Sequence, residues 1–178
     1  MEIKLVPAKK SQKEILRNLL EKYGYEFSQY DQMELDELGL YGYDYLDYYW
    51  IEKNHFPYLI EVDGRLAGFA LVNPVPLYGV ETDFTLAEFF VAYSYRELGV
   101  GSWCVQQLFD THQGRWGLMF HPRNKGSQKF WLRVVGRLAN NGYQRITENR
   151  EAEYNDGTIG HLLLFETGDS NKDFRDLL

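Results

Sequence analysis

The stretch Glu88-Phe89-Phe90-Val91-Ala92-Tyr93-Ser94-Tyr95-Arg96-Glu97-Leu98-Gly99-Val100-Gly101-Ser102-Trp103-Cys104 constrains this chain more than any other. Phe89, Phe90 and Val91 are strand formers in an apolar run. Cys104, Val105, Leu108 and Phe109 recur at helical spacing. Between strand and helix lies Arg96-x-x-Gly99-x-Gly101. Two glycines at such a corner remove the side chains that would hold an anion away from the backbone. The first amides of the following helix then point at that anion, assisted by the helix dipole. The corner reads as a phosphate cradle.

Several familiar corners do not fit it. A dinucleotide fingerprint needs a third glycine where Cys104 stands, and a P-loop needs a lysine between Gly101 and Ser102. A hydrolase elbow needs Gly-x-Ser-x-Gly, but Ser102 is followed by Trp103-Cys104. Composition narrows the field further. The net charge of −7 argues against nucleic acid as the main partner, since binding its phosphates wants a basic face. No apolar run reaches membrane-spanning length and Met1-Glu2-Ile3-Lys4 is not a signal peptide, so a cytoplasmic protein without a membrane partner is expected. Cys104 is the sole cysteine, which rules out an internal disulfide. His55, His112, His121 and His161 show no metal-ligand spacing, so no metal is expected.

Taken in order, the chain alternates element signals within the length of one domain, 1–168, followed by a tail, 169–178. Glu2 to Val6 reads as a strand. Ser11-x-x-Glu14 reads as a capping box, followed by a stripe of Leu16, Leu19, Leu20 and Tyr23 and a helix end near Gly24. A second helix is expected over Tyr45 to Lys53. Phe56 to Val62 and Arg65 to Val72 read as strands joined by the hairpin signal Asp63-Gly64. Thr85 to Tyr93 is the third strand of this meander. Beyond the opening stretch come a strand at Trp116 to Phe120, a helix carrying Phe130, Trp131, Val134, Val135 and Leu138 on one face, and two strands over Tyr143 to Glu148 and Gly160 to Glu166. In the tail, Phe174 and Leu177 are candidates to dock. The order is β-α-α-β-β-β-α-β-α-β-β, an α/β fold whose mixed, mostly antiparallel sheet is flanked by helices.

Val91-Ala92-Tyr93-Ser94-Tyr95-Arg96-x-x-Gly99-x-Gly101 resembles the pyrophosphate loop of the GNAT superfamily of N-acetyltransferases, with Tyr93 in place of a common proline. Asn124-x-x-Ser127-x-x-Phe130-Trp131 resembles that superfamily's Asn-x-x-Ala-x-x-Phe-Tyr, with Ser127 for the alanine and Trp131 for the tyrosine. The element order is also similar. The resemblance implies acetyl-coenzyme A as co-substrate. The amides from Leu98 through Gly99, Val100 and Gly101 to Ser102 would hold its pyrophosphate. The main chain of Phe89, Phe90 and Val91 would pair with its pantetheine arm. Asn124 would bond an amide of the arm beside the small Ser127, and Phe130 and Trp131 would stand at the thiol end. Arg96 would either contact phosphate or brace the loop.

The resemblance also implies a reaction, direct attack of an amine on the thioester. Only about one alkyl amine in a thousand is unprotonated at neutral pH, so a base is required. Glu88 is the candidate, and its face of the strand is not readable from sequence. Trp131 cannot serve as the acid that the family's tyrosine supplies, so either another tyrosine replaces it or the thiolate leaves unassisted. The segment Tyr25 to Lys53 interleaves Tyr25, Tyr30, Tyr41, Tyr43, Tyr45, Tyr48 and Tyr49 with carboxylates. It reads either as half-buried packing or as a pocket for a small cationic amine. Two other activities remain in view: a non-catalytic acyl-coenzyme A sensor, and an acetyltransferase acting on protein amines. Dimers are common in the superfamily, which makes a homodimer a candidate assembly.

Overall fold

A computed structural model describes residues 1–168; the expected tail, with Phe174 and Leu177, lies outside the described residues. The elements are β1 (Ile3–Pro7), α1 (Lys13–Asp31), α2 (Tyr48–Ile51), β2 (Phe56–Val62), β3 (Arg65–Asn73), β4 (Phe84–Val91), α3 (Val100–Thr111), β5 (Gly114–Phe120), α4 (Lys125–Leu138), β6 (Tyr143–Ile146) and β7 (His161–Thr167). They form one seven-stranded sheet in the order β1-β2-β3-β4-β5-β7-β6. Every pair is antiparallel except β4 with β5. That exception follows from the chain, because α3 carries it back across the sheet and a helical crossover returns the next strand parallel. Among the described residues no helix is long and apolar enough to cross a membrane.

Each face of the sheet is covered by helices. Val105, Leu108 and Phe109 of α3 and Trp131, Val134 and Val135 of α4 pack with Ala70, Val72, Leu86, Trp116, Leu118 and Phe165. On the opposite face, Leu16, Leu19 and Leu20 of α1 and Tyr49 of α2 pack with Leu59, Phe69, Leu71 and Phe90. Burying each of these large side chains contributes about 1.5–3 kcal/mol. The β2–β3 hairpin turns at Asp63 (φ 49°) and Gly64 (φ 72°), the left-handed pair that matches strand twist.

Four local expectations are corrected. First, α1 does not end near Gly24 but runs to Asp31. Gly24 is instead a place of close approach, where an added Cβ would lie 2.9 Å from Cβ of Tyr41. Second, the helix entry is not made by Ser11 and Glu14; Gln12 Oε1 accepts from the Lys9 amide at 2.9 Å, two residues earlier. Third, the second helix is only Tyr48–Ile51, because Asp44 to Asp47 form turns and Asp47 is drawn to Lys13 Nζ. Fourth, β6 stops at Ile146, short of Glu148.

Candidate active site

Two features of β4 create the site. The first is where its pairing with β5 stops. β5 meets β4 only over Phe84–Trp116, Thr85–Gly117 and Leu86–Leu118. β4 continues to Val91 against β3. From Ala87 onward the other edge of β4 has no strand partner among the described residues, and the sheet splits there. The second is a bulge. Leu71 is opposite Glu88 and Val72 opposite Leu86, so Ala87 is the extra residue. Before it, Phe84 and Leu86 point to the α3–α4 face; after it, Phe89 does. Glu88 and Phe90 therefore point to the α1 face. Without the bulge, strict alternation would put Glu88 with Leu86 on the other side.

A cavity of about 1700 Å³ runs through the split. Glu88, Phe89, Phe90, Val91, Arg96, Gly99, Gly101, Ser102, Asn124, Ser127, Phe130 and Trp131 all line it. Of the residues singled out in the sequence, Leu98 and Val100 do not. Leu98 faces outward, 53% exposed, and Val100 is buried beneath the helix.

The corner before α3 has the form that an anion cradle requires. Gly99 sits at φ 82° as the residue before the helix, and no side chain caps the helix start. Trp103 N–H donates to Gly99 O at 3.0 Å, the first bond of the helix. The amides of Val100, Gly101 and Ser102 thus precede any intrahelical acceptor. Gly101 has a different reason to be glycine: an added Cβ would lie 3.2 Å from the Phe130 ring. Phe130 is stacked on Phe89 at 6.1 Å, and Trp131 meets Phe89 edge-on at 5.4 Å. Trp131 is 7% exposed and belongs to the core as well as to the cavity wall.

Arg96 is already engaged. Its Nη1 and Nη2 donate to Glu26 Oε1 and Oε2 at 2.7 and 2.6 Å, and its Nε donates to Val91 O at 2.7 Å. The guanidinium also lies over the Tyr93 ring at 4.1 Å. A bidentate pair with a third bond to the strand braces the loop between α1 and β4. Asn124 caps α4, its Oδ1 accepting from the Ser127 amide at 2.9 Å.

On the α1 face, Glu88 enters a wall of tyrosines. Burial pushes its carboxyl up to about 7, while hydrogen bonds from the hydroxyls of Tyr23 and Tyr43 pull the other way. Burial likewise pushes Tyr23, Tyr43, Tyr49 and Tyr154 upward, with the Glu88 charge adding to each. These phenols stay protonated and available as donors. Asn73 Nδ2 donates to Tyr49 Oη at 3.0 Å, fixing the end of this group.

The tyrosine-rich segment divides on folding. Tyr41, Tyr43, Tyr45, Tyr48 and Tyr49 line the cavity, whereas Glu34, Asp36, Glu37, Asp44 and Asp47 do not. Asp36 is spent on the amides of Leu38 and Leu40. Glu26 and Asp31 line the cavity, but Glu26 is paired with Arg96, and Asp31 accepts from the Met33 amide at 3.0 Å.

Sequence reasoning missed Tyr23, Asn73, Tyr78 and Tyr154 as wall residues. Tyr23 was legible only as an apolar helix position. Tyr154 lies in an irregular segment, brought in where Asp156 meets His121 at 3.3 Å and Arg123 at 2.5 Å. Cys104 is buried and its thiol is pushed up to about 12 by burial, so it is inert as a nucleophile. Among the described residues no group of three or more His, Cys, Asp or Glu is placed to hold a metal.

A model of the Acetyltransferase (GNAT) family matches residues 14–136. No curated protein sequence matches the chain significantly. Solved structures share the fold at low identity. An acetyltransferase from Thermus thermophilus superposes with a TM-score of 0.67 at 14% identity, covering 93% of this chain and 97% of that one. A GNAT-family acetyltransferase from Streptococcus agalactiae gives 0.66 at 16% identity, with 94% and 96% covered. The structure described as histone acetyltransferase HPA2 and related acetyltransferase, from Corynebacterium glutamicum, gives 0.68 at 11% identity, with 97% and 100% covered.

Proposed function

Because the chain belongs to the acetyltransferase (GNAT) family, we propose that it transfers an acetyl group from acetyl-coenzyme A to the primary amine of a small, cationic molecule, by direct attack on the thioester. The observation that carries this reading is the placement of Glu88, a carboxylate turned by a bulge into a ring-lined cavity beside the unpaired edge of β4.

The cavity fits coenzyme A on its own features. The uncapped start of α3 offers the amides of Val100, Gly101 and Ser102 to a pyrophosphate. The open edge of β4 offers main-chain groups of Phe89 to Val91 to an extended, amide-bearing arm. Asn124 spends its Oδ1 on the helix cap, which leaves Nδ2 to donate to that arm. Arg96, already held by Glu26, steadies the corner rather than binding phosphate. Acetyl-coenzyme A would supply the activated acetyl thioester.

Glu88 is suited to accept the proton of the attacking amine. A carboxyl raised to about 7 is a much better base than an ordinary one and is still substantially ionised at neutral pH. Tyr23 and Tyr43 orient it. An acyl-enzyme on the chain's only thiol is disfavoured by the burial of Cys104. The acceptor end of the cavity presents aromatic faces around Glu88, and of the other carboxylates beside it Glu26 is neutralised by Arg96 and Asp31 is turned to the Met33 amide, which suits a single ammonium on an apolar or aromatic body better than a polyamine.

The test is steady-state acetylation of a panel of aryl- and alkylamines, a polyamine and a lysine peptide, with wild type and Glu88→Gln. A monoamine should be preferred, and Glu88→Gln should lower kcat/KM by about 10²-fold or more with coenzyme A affinity retained. Binding without turnover across the panel would make the chain a sensor, and preference for the peptide would make its acceptor a protein.

A further inference from the structure

The chain makes two tight turns of one geometry with different residues. Asp63-Gly64 joins β2 to β3 at φ 49° and 72°, and Tyr78-Gly79, between β3 and β4, sits at φ 49° and 78°. Leu77 and Val80 close the second turn by exchanging N–H···O bonds of 2.9 and 3.0 Å. Positive φ at both central residues favours Asn or Asp before Gly, because a short polar side chain tolerates the left-handed region. A tyrosine there is strained, and among the described residues Tyr78 is the only aromatic residue at positive φ. The surroundings hold it in place. Leu77 is buried with Ala152, Leu162 and Leu164. Tyr78 O accepts from Asn149 Nδ2 at 2.9 Å, and Asn149 Oδ1 accepts from the Glu151 amide at 3.0 Å. Tyr78 packs against the edge of the Leu77 cluster, stays half-buried, and lines the cavity with Glu88 and Tyr154. Burial and the charge on Glu88 both push its phenol upward, which places it within that carboxylate's field. The stability of the turn does not account for a tyrosine at this position, and strain kept in a cavity wall points to a role in the cavity.

We propose that Tyr78 is a specificity residue for the acceptor, its ring a platform for a flat aromatic body whose amine reaches Glu88. The inference rests on the acetyl-transfer reading above and narrows the acceptor to an arylalkylamine. Contact between two rings adds attraction beyond the area it buries, which a saturated ring of the same size does not collect. The turn also makes the platform rigid. A two-residue loop has little freedom, and Asn149 ties it to the segment that carries Tyr154. The ring is thus held in the wall before the acceptor arrives, so little side-chain ordering is required on binding.

The experiment is steady-state acetylation of 2-phenylethylamine and of its saturated counterpart, 2-cyclohexylethylamine, by the full chain. The readout is the aryl-over-cyclohexyl ratio of kcat/KM, compared between variants at one pH so that the amines' own basicities cancel. Tyr78→Asn, which gives the turn a residue type it favours, should lower that ratio about three- to tenfold. It should leave the KM for acetyl-coenzyme A unchanged and still melt cooperatively. Tyr78→Phe, which keeps the ring, should keep the wild-type ratio. A ratio that survives Tyr78→Asn would overturn the proposal, as would a ratio lost in Tyr78→Phe. A rise in the KM for acetyl-coenzyme A in Tyr78→Asn would also overturn it, since the residue would then support the whole cavity. If wild type acetylates other amines but neither of these two, the proposal falls alone. If it acetylates no amine, the acetyl-transfer reading falls and the acceptor platform with it.

Discussion

A carboxylate set among tyrosines titrates where a solvent-facing one does not, and Glu88 makes this measurable. Its folded value is about 7, against an ordinary 4.5 that the unfolded chain would show. Between those values the folded state binds more protons than the unfolded state, so stability falls as pH rises. The group's contribution is fully present below 4.5 and is lost as pH passes through 7. Glu88→Gln removes this dependence. Its melting temperature relative to wild type should therefore increase from pH 4.5 to pH 8, read by thermal denaturation at the two pH values. A difference that does not change with pH would exclude the raised carboxyl. At the same scale, Arg96 shows what sequence leaves open. A guanidinium next to a glycine corner suits phosphate, but Glu26, seventy positions away, claims it with two bonds of 2.7 and 2.6 Å.

At the scale of elements, α3 and its corner were legible because local chemistry dictates them. Gly99 must adopt φ 82°, which other residues reach only with strain. Nothing lies within 4 Å of a Cβ added there, so Gly99→Ala tests conformation without a clash. It should cost about 1–2 kcal/mol, a loss of several degrees in melting temperature, and should weaken coenzyme A binding. An unchanged melting temperature would show that the corner relaxes freely. The β4 bulge was not legible. Ala87 carries no signal for it, since a bulge is set by how two strands register across the sheet. The α1 boundary failed for a related reason: Gly24 looks like a stop, yet it lies inside the helix, where its lack of a side chain lets Tyr41 approach from a distant segment.

For the whole molecule, the proposed cofactor would bridge α3, β4 and α4, elements that otherwise enclose a cavity of about 1700 Å³. A ligand that binds only the folded chain stabilises it by mass action. At one hundred times its dissociation constant acetyl-coenzyme A should add about 2.7 kcal/mol, which raises the melting temperature by roughly 5–10 °C. No shift at saturating cofactor would contradict the assignment of the corner.

The element order, the strand–glycine–helix corner and the capped start of α4 are determined by sequence alone, because each depends on residues a few positions apart. Propensity, capping and glycine freedom act at that range. Tertiary structure alone decided three other things. The bulge turned Glu88 to the α1 face. The split between β4 and β5 opened the strand edge. Folding sorted Tyr25 to Lys53 into rings that line the cavity and carboxylates that mostly stay outside it. Those outcomes depend on register and packing between segments far apart in the chain, where no local residue preference reaches.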